Sequence, residues 1–186
     1  MNVNHPKDWT FTKLGKVLPK SYKNGIYKAA EYYGNGTSIL RINDFDNQGN
    51  LSSSELQKLH LNEKEIKHYR LNFNDIVVNR VNSLTHIGKS IIWDNSEIIA
   101  VYESNMMRIE PDDKSIKSEF LIQILHHQSA RNFFRRVAKR AVAQSSINQQ
   151  DVKALPVYLP PLPEQKAIAS LLSIWDEAIE KTERLI

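Results

Sequence analysis

The residues best equipped for chemistry in this chain are cations and amides. Residues 120–150 contain no Asp or Glu, yet Arg131, Arg135, Arg136, Lys139 and Arg140 fall within ten positions. The segment then runs into Gln144, Ser145, Ser146, Ile147 and Asn148. Guanidinium and ammonium groups hold phosphates, and amide or hydroxyl side chains read base edges, so this composition suits duplex DNA. Taken alone, a charge run is more often a solvated face. A second acid-free window, 76–93, holds Arg80, Asn82, Ser83, Thr85, His86 and Lys89 between apolar stretches. Recognition residues are commonly carried on polar loops between rigid elements. Here Arg80 or Asn82 could contact guanine or adenine bidentately, at roughly 1–3 kcal/mol of discrimination each. An ordinary hairpin loop explains this window equally well. The predicted DNA-contacting set is Arg41, Arg80, Asn82, Ser83, Lys89, Arg135, Lys139, Arg140, Gln144, Ser145, Ser146 and Asn148. Arg41 and the 131–136 cluster, of which Arg135 is in this set, are assigned to phosphates.

Catalytic patterns are sought and not found. Tyr32-Tyr33-Gly34-Asn35-Gly36 imitates the glycine turn by which methyltransferases hold S-adenosylmethionine, but a strand-like stretch follows it instead of a helix. Pro160-Pro161 is not preceded by Asn, Asp or Ser, as an amino-methyltransferase motif requires. Pro111-Asp112 and the distant Glu164-Gln165-Lys166 make a poor nuclease metal pattern. His126 and His127 are adjacent, would point to different sides of a helix, and lack a carboxylate at metal spacing. There is no cysteine, which excludes disulfides and thiolate metal sites. No catalytic residue, metal or cofactor is expected on this chain. Tight S-adenosylmethionine binding would favour the rival reading of an autonomous methyltransferase.

These residues must be positioned by one core, since 186 residues leave little room for two. Hydrophobic and charged fractions of 41% and 25% are those of a globular protein. No stretch approaches the roughly 18 apolar residues of a membrane span. The opening M-N-V-N-H-P-K-D-W lacks the regions of a signal peptide, and a cytoplasmic location is expected. Short strands are predicted near residues 9–18, 38–45, 76–81, 90–93, 98–102 and 106–109, with a turn at 46–50. Loop is expected over 21–36 and a helix over 54–69. Ser118 is the expected N-cap of a helix that breaks near Gln128.

The last part differs in kind. Pro160, Pro161 and Pro163 favour a stiff extended path, and Pro163 suits the first turn of a helix carrying Glu164 near its positive end. In that helix Ile168, Leu171, Trp175, Ala178, Thr182 and Leu185 follow a heptad. Leu172, Ile179 and Ile186 add a second column. Such a broad stripe implies a partner; folding back onto its own domain is the plainer alternative. Residues 160–186 carry a net charge of −2, leaving +6 on the body. The body is therefore the part drawn to phosphates.

The run L-P-V-Y-L-P-P-L-P-E-Q-K-A-I-A-S-L-L, preceded by S-I-N-Q-Q-D-V-K-A, strongly resembles a junction in DNA-specificity subunits of type I restriction–modification enzymes. It corresponds there to the boundary between a target recognition domain and a conserved helix. N-F-N-D-I-V-V-N-R-V-N-S-L-T-H-I-G-K is similar to a strand-loop-strand of that family, with Asn74 in place of the usual Gly. W-T-F-T-K-L-G-K-V-L looks like the opening of a recognition domain. E-S-N-M-M-R-I and A-Q-S-S-I-N keep the family's order, without the Gly often found before the latter.

The resemblance implies a non-catalytic reader of one half of a bipartite duplex target. It also implies partners: methyltransferase (modification) subunits, a restriction subunit through them, and a second specificity half or second copy of this chain. The fold class expected is α+β. Residues 1–155 would form a mainly β recognition domain with one or two packed helices, 156–163 a proline strut, and 164–186 the start of a long coiled-coil-type helix. Ile168, Leu171, Leu172, Trp175, Ile179 and Leu185 would be its interface. Family members usually hold two recognition domains separated by two long helices, so the chain looks like an N-terminal half, a fragment or a natural half-subunit. The alternative is a protein-interaction module whose basic face binds an acidic partner and not DNA.

Overall fold

The β-branched run at residues 76–79 lies at the centre of the computed structural model, which describes residues 6–52, 55–142 and 144–183, with 180 and 183 described by backbone alone. The chain enters on β1 (Thr10–Lys13) and makes one helical turn, α1 (Leu14–Val17). It continues through β2 (Tyr22–Asn24), a 3-10 turn at Ala30–Tyr32, β3 (Tyr33–Leu40), β4 (Lys58–Leu59) and α2 (Glu63–Tyr69). Short strands follow: β5 (Ile76–Asn79), β6 (Val81–Asn82), β7 (Ser90–Ile92), β8 (Ala100–Tyr102) and β9 (Met106–Ile109). Then come α3 (Ser118–His126), α4 (Gln128–Val137), β10 (Lys139–Arg140), β11 (Ser145–Ser146), α5 (Gln149–Lys153), β12 (Pro156–Leu159) and α6 (Leu162–Glu183).

The central sheet runs β2-β9-β5-β7, antiparallel throughout. Alternation along β5 sends Ile76 and Val78 into a cluster with Ile109, Leu121, Leu125 and Phe134. Val77 goes to the opposite face, with Leu40, Phe45, Trp93 and Tyr102. Both faces are thus covered, which is why the segment reads as unbroken apolar sequence. The second layer is β4-β3-β8, in which β3 runs parallel to β8 and antiparallel to β4. At the start of β3, Tyr33 and Thr37 both stand opposite Leu59, a bulge made by Gly34 and Gly36. Gly36 has φ +105°, and a Cβ there would lie 2.6 Å from the Leu59 carbonyl oxygen.

Several boundaries differ from the sequence reading. The expected loop over 21–36 contains β2 and the start of β3, because its glycines build a bulge and not a turn. The helix expected over 54–69 is confined to Glu63–Tyr69, where Asn62 and Glu65 form a reciprocal capping box. Ser118 is the first residue of α3 and buried; Lys117 occupies the cap position, with no side-chain cap. The break near Gln128 is present, at His127, whose ring accepts from the Ser129 N–H. Asn74 has φ +68°, the left-handed conformation that Gly or Asn adopts most readily.

The proline segment is not a free strut. Pro156–Leu159 pairs antiparallel with β1, Phe11 opposite Tyr158 and Thr12 opposite Val157, and Val157 is buried in the main core. Helix α6 starts at Leu162 and lies against α3 with Ala169 buried and Gln123 donating to Asp176 Oδ2 at 3.0 Å. Ile168 packs at the edge of the body's own core, so this first member of the heptad is not free for a partner. Farther on the stripe is open: Leu171, Leu172, Trp175 and Ile179 are exposed, Trp175 by 63%. Leu185 and Ile186 lie outside the described residues. No helix among the described residues is long and apolar enough to cross a membrane.

Candidate nucleic-acid interface

The two acid-free windows meet in one small sheet, ordered β10-β11-β6. Asn82 stands opposite Ser145, which stands opposite Arg140; Val81, Ser146 and Lys139 make the neighbouring row. Two-residue strands have little stability of their own. They are held at the base by the Ile147 N–H donating to the Arg80 carbonyl and by Arg80 and Val81 N–H groups donating to the Asn105 carbonyl. The buried Ile147 anchors this end to the core. At the other end the Ala141 N–H donates to the Gln144 carbonyl and closes the hairpin.

The loop after β6 folds onto α4. Gly88, at φ +76°, lies so close to the Phe134 ring that a Cβ would stand 2.4 Å from Cδ2. Only glycine permits that approach. Arg135, half-buried on α4, reaches the same loop through the Thr85 carbonyl at 3.4 Å. Within the loop Asn82 Oδ1 accepts from the Ser83 N–H at 2.7 Å, and the Ser83 hydroxyl lies 2.8 Å from His86 Nδ1. Arg80 is half-buried and donates from Nη1 to the Ser104 carbonyl at 3.0 Å. Arg136, Lys139, Arg140 and Gln144 are exposed. Among the described residues, no carboxylate forms an ion pair with Arg80, Arg135, Arg136, Lys139 or Arg140. The result is a cationic ridge with amide and hydroxyl groups along it.

Other members of the predicted set have different work. Lys89 is 6% exposed; Nζ donates to the carbonyls of Ile42 and Phe45, both at 2.6 Å, and sits 4.5 Å from the Phe45 ring centre. Burial lowers its pKa. It is an interior strut and cannot reach a duplex in this arrangement. Arg131 is likewise buried, with Nη2 donating to Asn47 Oδ1 at 3.1 Å. Ser145 is buried although its neighbours are not. Asn148 caps α5, accepting from the N–H groups of Gln150 and Asp151 while Asp151 accepts from the Asn148 N–H. Arg41 belongs to the other layer, just after β3, where Nη1 donates to Gln57 Oε1 at 2.6 Å. The structure therefore gathers Arg80, Asn82, Ser83, Arg135, Lys139, Arg140, Gln144 and Ser146 and assigns Lys89, Ser145 and Asn148 to the fold.

The glycine motif near Tyr32 ends inside β3, so no helix N-terminus stands behind it to receive a nucleotide. His126 Nε2 lies 2.9 Å from the Ser90 carbonyl oxygen, a satisfied interior position. Among the described residues no group of three or more His, Cys, Asp or Glu could hold a metal. Sequence reasoning missed Gln165, whose buried amide joins α6 to the body. The available signal is its place in the first turn after two prolines: the Pro161 carbonyl accepts the Glu164 and Gln165 N–H groups, and the Pro160 carbonyl is left for a side-chain donor such as Gln165.

Residues 6–186 match the family model described as "Type I restriction modification DNA specificity domain". The MjaX type I restriction enzyme specificity subunit of Methanocaldococcus jannaschii is 34% identical over 178 residues, covering 94% of this chain and 41% of that protein. The StySPI specificity subunit of Salmonella potsdam is 32% identical over 177 residues, covering 93% and 38%. This chain thus spans about two-fifths of the length of these relatives. The crystal structure of the HsdS subunit from Thermoanaerobacter tengcongensis superposes with a TM-score of 0.70 at 17% identity, covering 99% of this chain and 46% of that one, a likeness of fold. The chain therefore belongs to the type I restriction modification DNA specificity domain family.

Proposed function

We propose that this chain is a cytoplasmic DNA-sequence reader that performs no catalysis, carries no cofactor, and directs modification and restriction subunits on other chains. It reads one half of a bipartite duplex target. Arg80, Asn82, Gln144 and Ser146 approach base edges, while Arg135, Arg136, Lys139 and Arg140 hold phosphates. The open stripe on α6 is the start of a coiled coil that meets protein: the methyltransferase subunits and a second specificity half or second copy. In this division the head extends to residue 161, because Pro156–Leu159 is paired within it, and the helix begins at Leu162.

One observation supports this reading above the rest. Two acid-free windows that are far apart in sequence, 76–93 and 120–150, converge on one three-stranded sheet whose exposed cations have no carboxylate ion-pair partner among the described residues. A merely solvated face does not require that convergence. The test is to co-express the chain with its methyltransferase subunits and map the methylated sites. Arg80→Ala and Gln144→Ala should each relax the preferred base at a position in one half-site. If both leave the methylated sequence and the duplex affinity unchanged, the recognition residues lie elsewhere. A complex that gives no duplex footprint would instead favour an acidic protein as the partner of this ridge.

A further inference from the structure

The joint between head and helix is held by one buried side chain. Gln165 is 1% exposed, and both ends of its carboxamide are used. Its Oε1 accepts from the Lys117 N–H at 3.0 Å; its Nε2 donates to the Pro160 carbonyl at 2.9 Å and reaches the Ser115 carbonyl at 3.4 Å. Three segments are therefore tied by a single group: the entry to α3, the end of β12 and the first turn of α6. The Lys117 N–H is one of the donors that a helix start leaves without an intrahelical partner, and no side chain caps α3 from within. Beside this tie, the Trp9 indole N–H donates to Glu164 Oε1 at 3.1 Å, fixing the segment before β1 to the same turn.

The apolar hold on α6 is slight by comparison. Ala169 is buried and Ile168 only partly so, and the larger apolar side chains beyond them face outward. Beyond them the Gln123 amide donates to Asp176 Oδ2 at 3.0 Å, but that pair is exposed to water, so apart from the Gln165 joint the contact with α3 would tolerate a range of helix directions. A buried carboxamide would not, because turning or tilting the helix strands its donor and acceptor, and the protein groups they serve, away from water. The consequence grows along the helix. At 1.5 Å per residue, α6 (22 residues) is about 33 Å long. A tilt of about 10° at the joint moves its far end by about 6 Å, on the order of two base-pair steps of 3.4 Å.

We propose that Gln165 is the positioning residue that fixes the direction in which α6 leaves the head, and thereby the distance between the two half-sites of the target. The consequence for spacing rests on the function proposed above; the mechanical role does not. Leucine at this position keeps bulk but makes none of the three hydrogen bonds. Glutamate can still accept from Lys117 but cannot, when ionised, donate to Pro160.

The native chain has no cysteine, so two introduced ones report without background. Lys16→Cys on α1 and Lys181→Cys on α6, both exposed, carry spin labels in the full chain, diluted with unlabelled chain to suppress contacts between copies. Distances are measured by pulsed dipolar spectroscopy below the melting transition, with cooperative melting checked for each variant. Gln165 should give a narrow distribution, and Q165L and Q165E a broader or displaced one. A loss of stability alone would leave the distribution narrow. If both variants keep the original distribution, Gln165 does not set the helix direction. Should one fail to fold, the other and the shorter amide of Q165N decide. In complex with the methyltransferase subunits, Q165L should broaden the range of spacer lengths methylated while leaving the half-site sequence intact. An unchanged spacer beside an altered distance overturns the ruler role. Absence of any bipartite methylation overturns the functional reading, and the label distances still test the joint.

Discussion

Replacing Lys89 with methionine separates the architecture from the proposed DNA contacts. The substitution keeps most of the aliphatic stem and removes the ammonium group that donates to the carbonyls of Ile42 and Phe45. Hydrogen bonds from a charged donor contribute about 1.5–3 kcal/mol each, so the gross loss is on the order of 3–6 kcal/mol. Against it stands relief of the burial that already lowers the lysine's pKa, together with retained packing. The net expectation is destabilisation of about 2–3 kcal/mol. For an m-value of about 2 kcal/mol/M, the urea midpoint falls by about 1–1.5 M. Circular dichroism in a urea titration measures this. Duplex affinity, corrected for the folded fraction, and its salt slope should stay at the native values. A variant with a native midpoint but weakened duplex binding would refute the interior placement and return Lys89 to the contact surface.

Arg140→Ala should behave in the opposite way. Its loss should leave the melting temperature within about 1–2 °C, since surface substitutions change stability by at most about 0.5 kcal/mol. The log–log salt slope of duplex binding should become shallower by about 0.9, one phosphate contact, and an unchanged slope would remove Arg140 from the DNA. Acid has a separate signature. Burial pushes the Asp75 carboxyl from 3.8 up to about 6, although the Asn72 N–H and the Arg108 guanidinium pull the other way. The folded chain then binds a proton that the unfolded chain has released, so this contribution is complete below about pH 4 and is lost as pH rises through 6. Relative to the native chain, Asp75→Asn should gain stability from pH 4 to pH 7, by on the order of 2–3 kcal/mol. A difference that stays flat with pH in thermal melts would mean that Asp75 is ionised in the fold.

What could be read from the chain was what local sequence decides. The β-branched run that became β5 identified itself, as did the turn at Asp46, whose Oδ1 accepts from the N–H groups of Gln48 and Asn50. The heptad pointed correctly to a terminal helix and to an exposed apolar stripe at Leu171, Trp175 and Ile179. Long-range pairing was not legible. Nothing near Pro156 announces that β1, well over a hundred residues earlier, is its neighbour. Lys89 looked like a loop cation because its acceptors are 44 and 47 residues away. Asn148 is a different kind of miss. Asn148 and Asp151 have the spacing of a reciprocal cap, a local signal that competes with the assignment of Asn148 to DNA.

The way the β10-β11-β6 sheet is attached explains why neighbouring residues differ so sharply in what they can tolerate. Each of its strands is two residues long, and its stability is borrowed from the Arg80–Ile147 hydrogen bond, the Ile147 anchor and the Gly88–Phe134 contact. Those supports lie at the base. Lys139, Arg140 and Gln144 project beyond them and share no core packing, so changing their chemistry leaves the supports untouched. Ser145 and Asn148, a few positions on, are bound into the body by burial and by a helix cap. Loss of a cap alone costs about 1 kcal/mol. Substitution of the proposed contact residues is therefore open at the exposed hairpin without loss of fold, whereas substitution at Lys89, Ser145 or Asn148 would act through stability first.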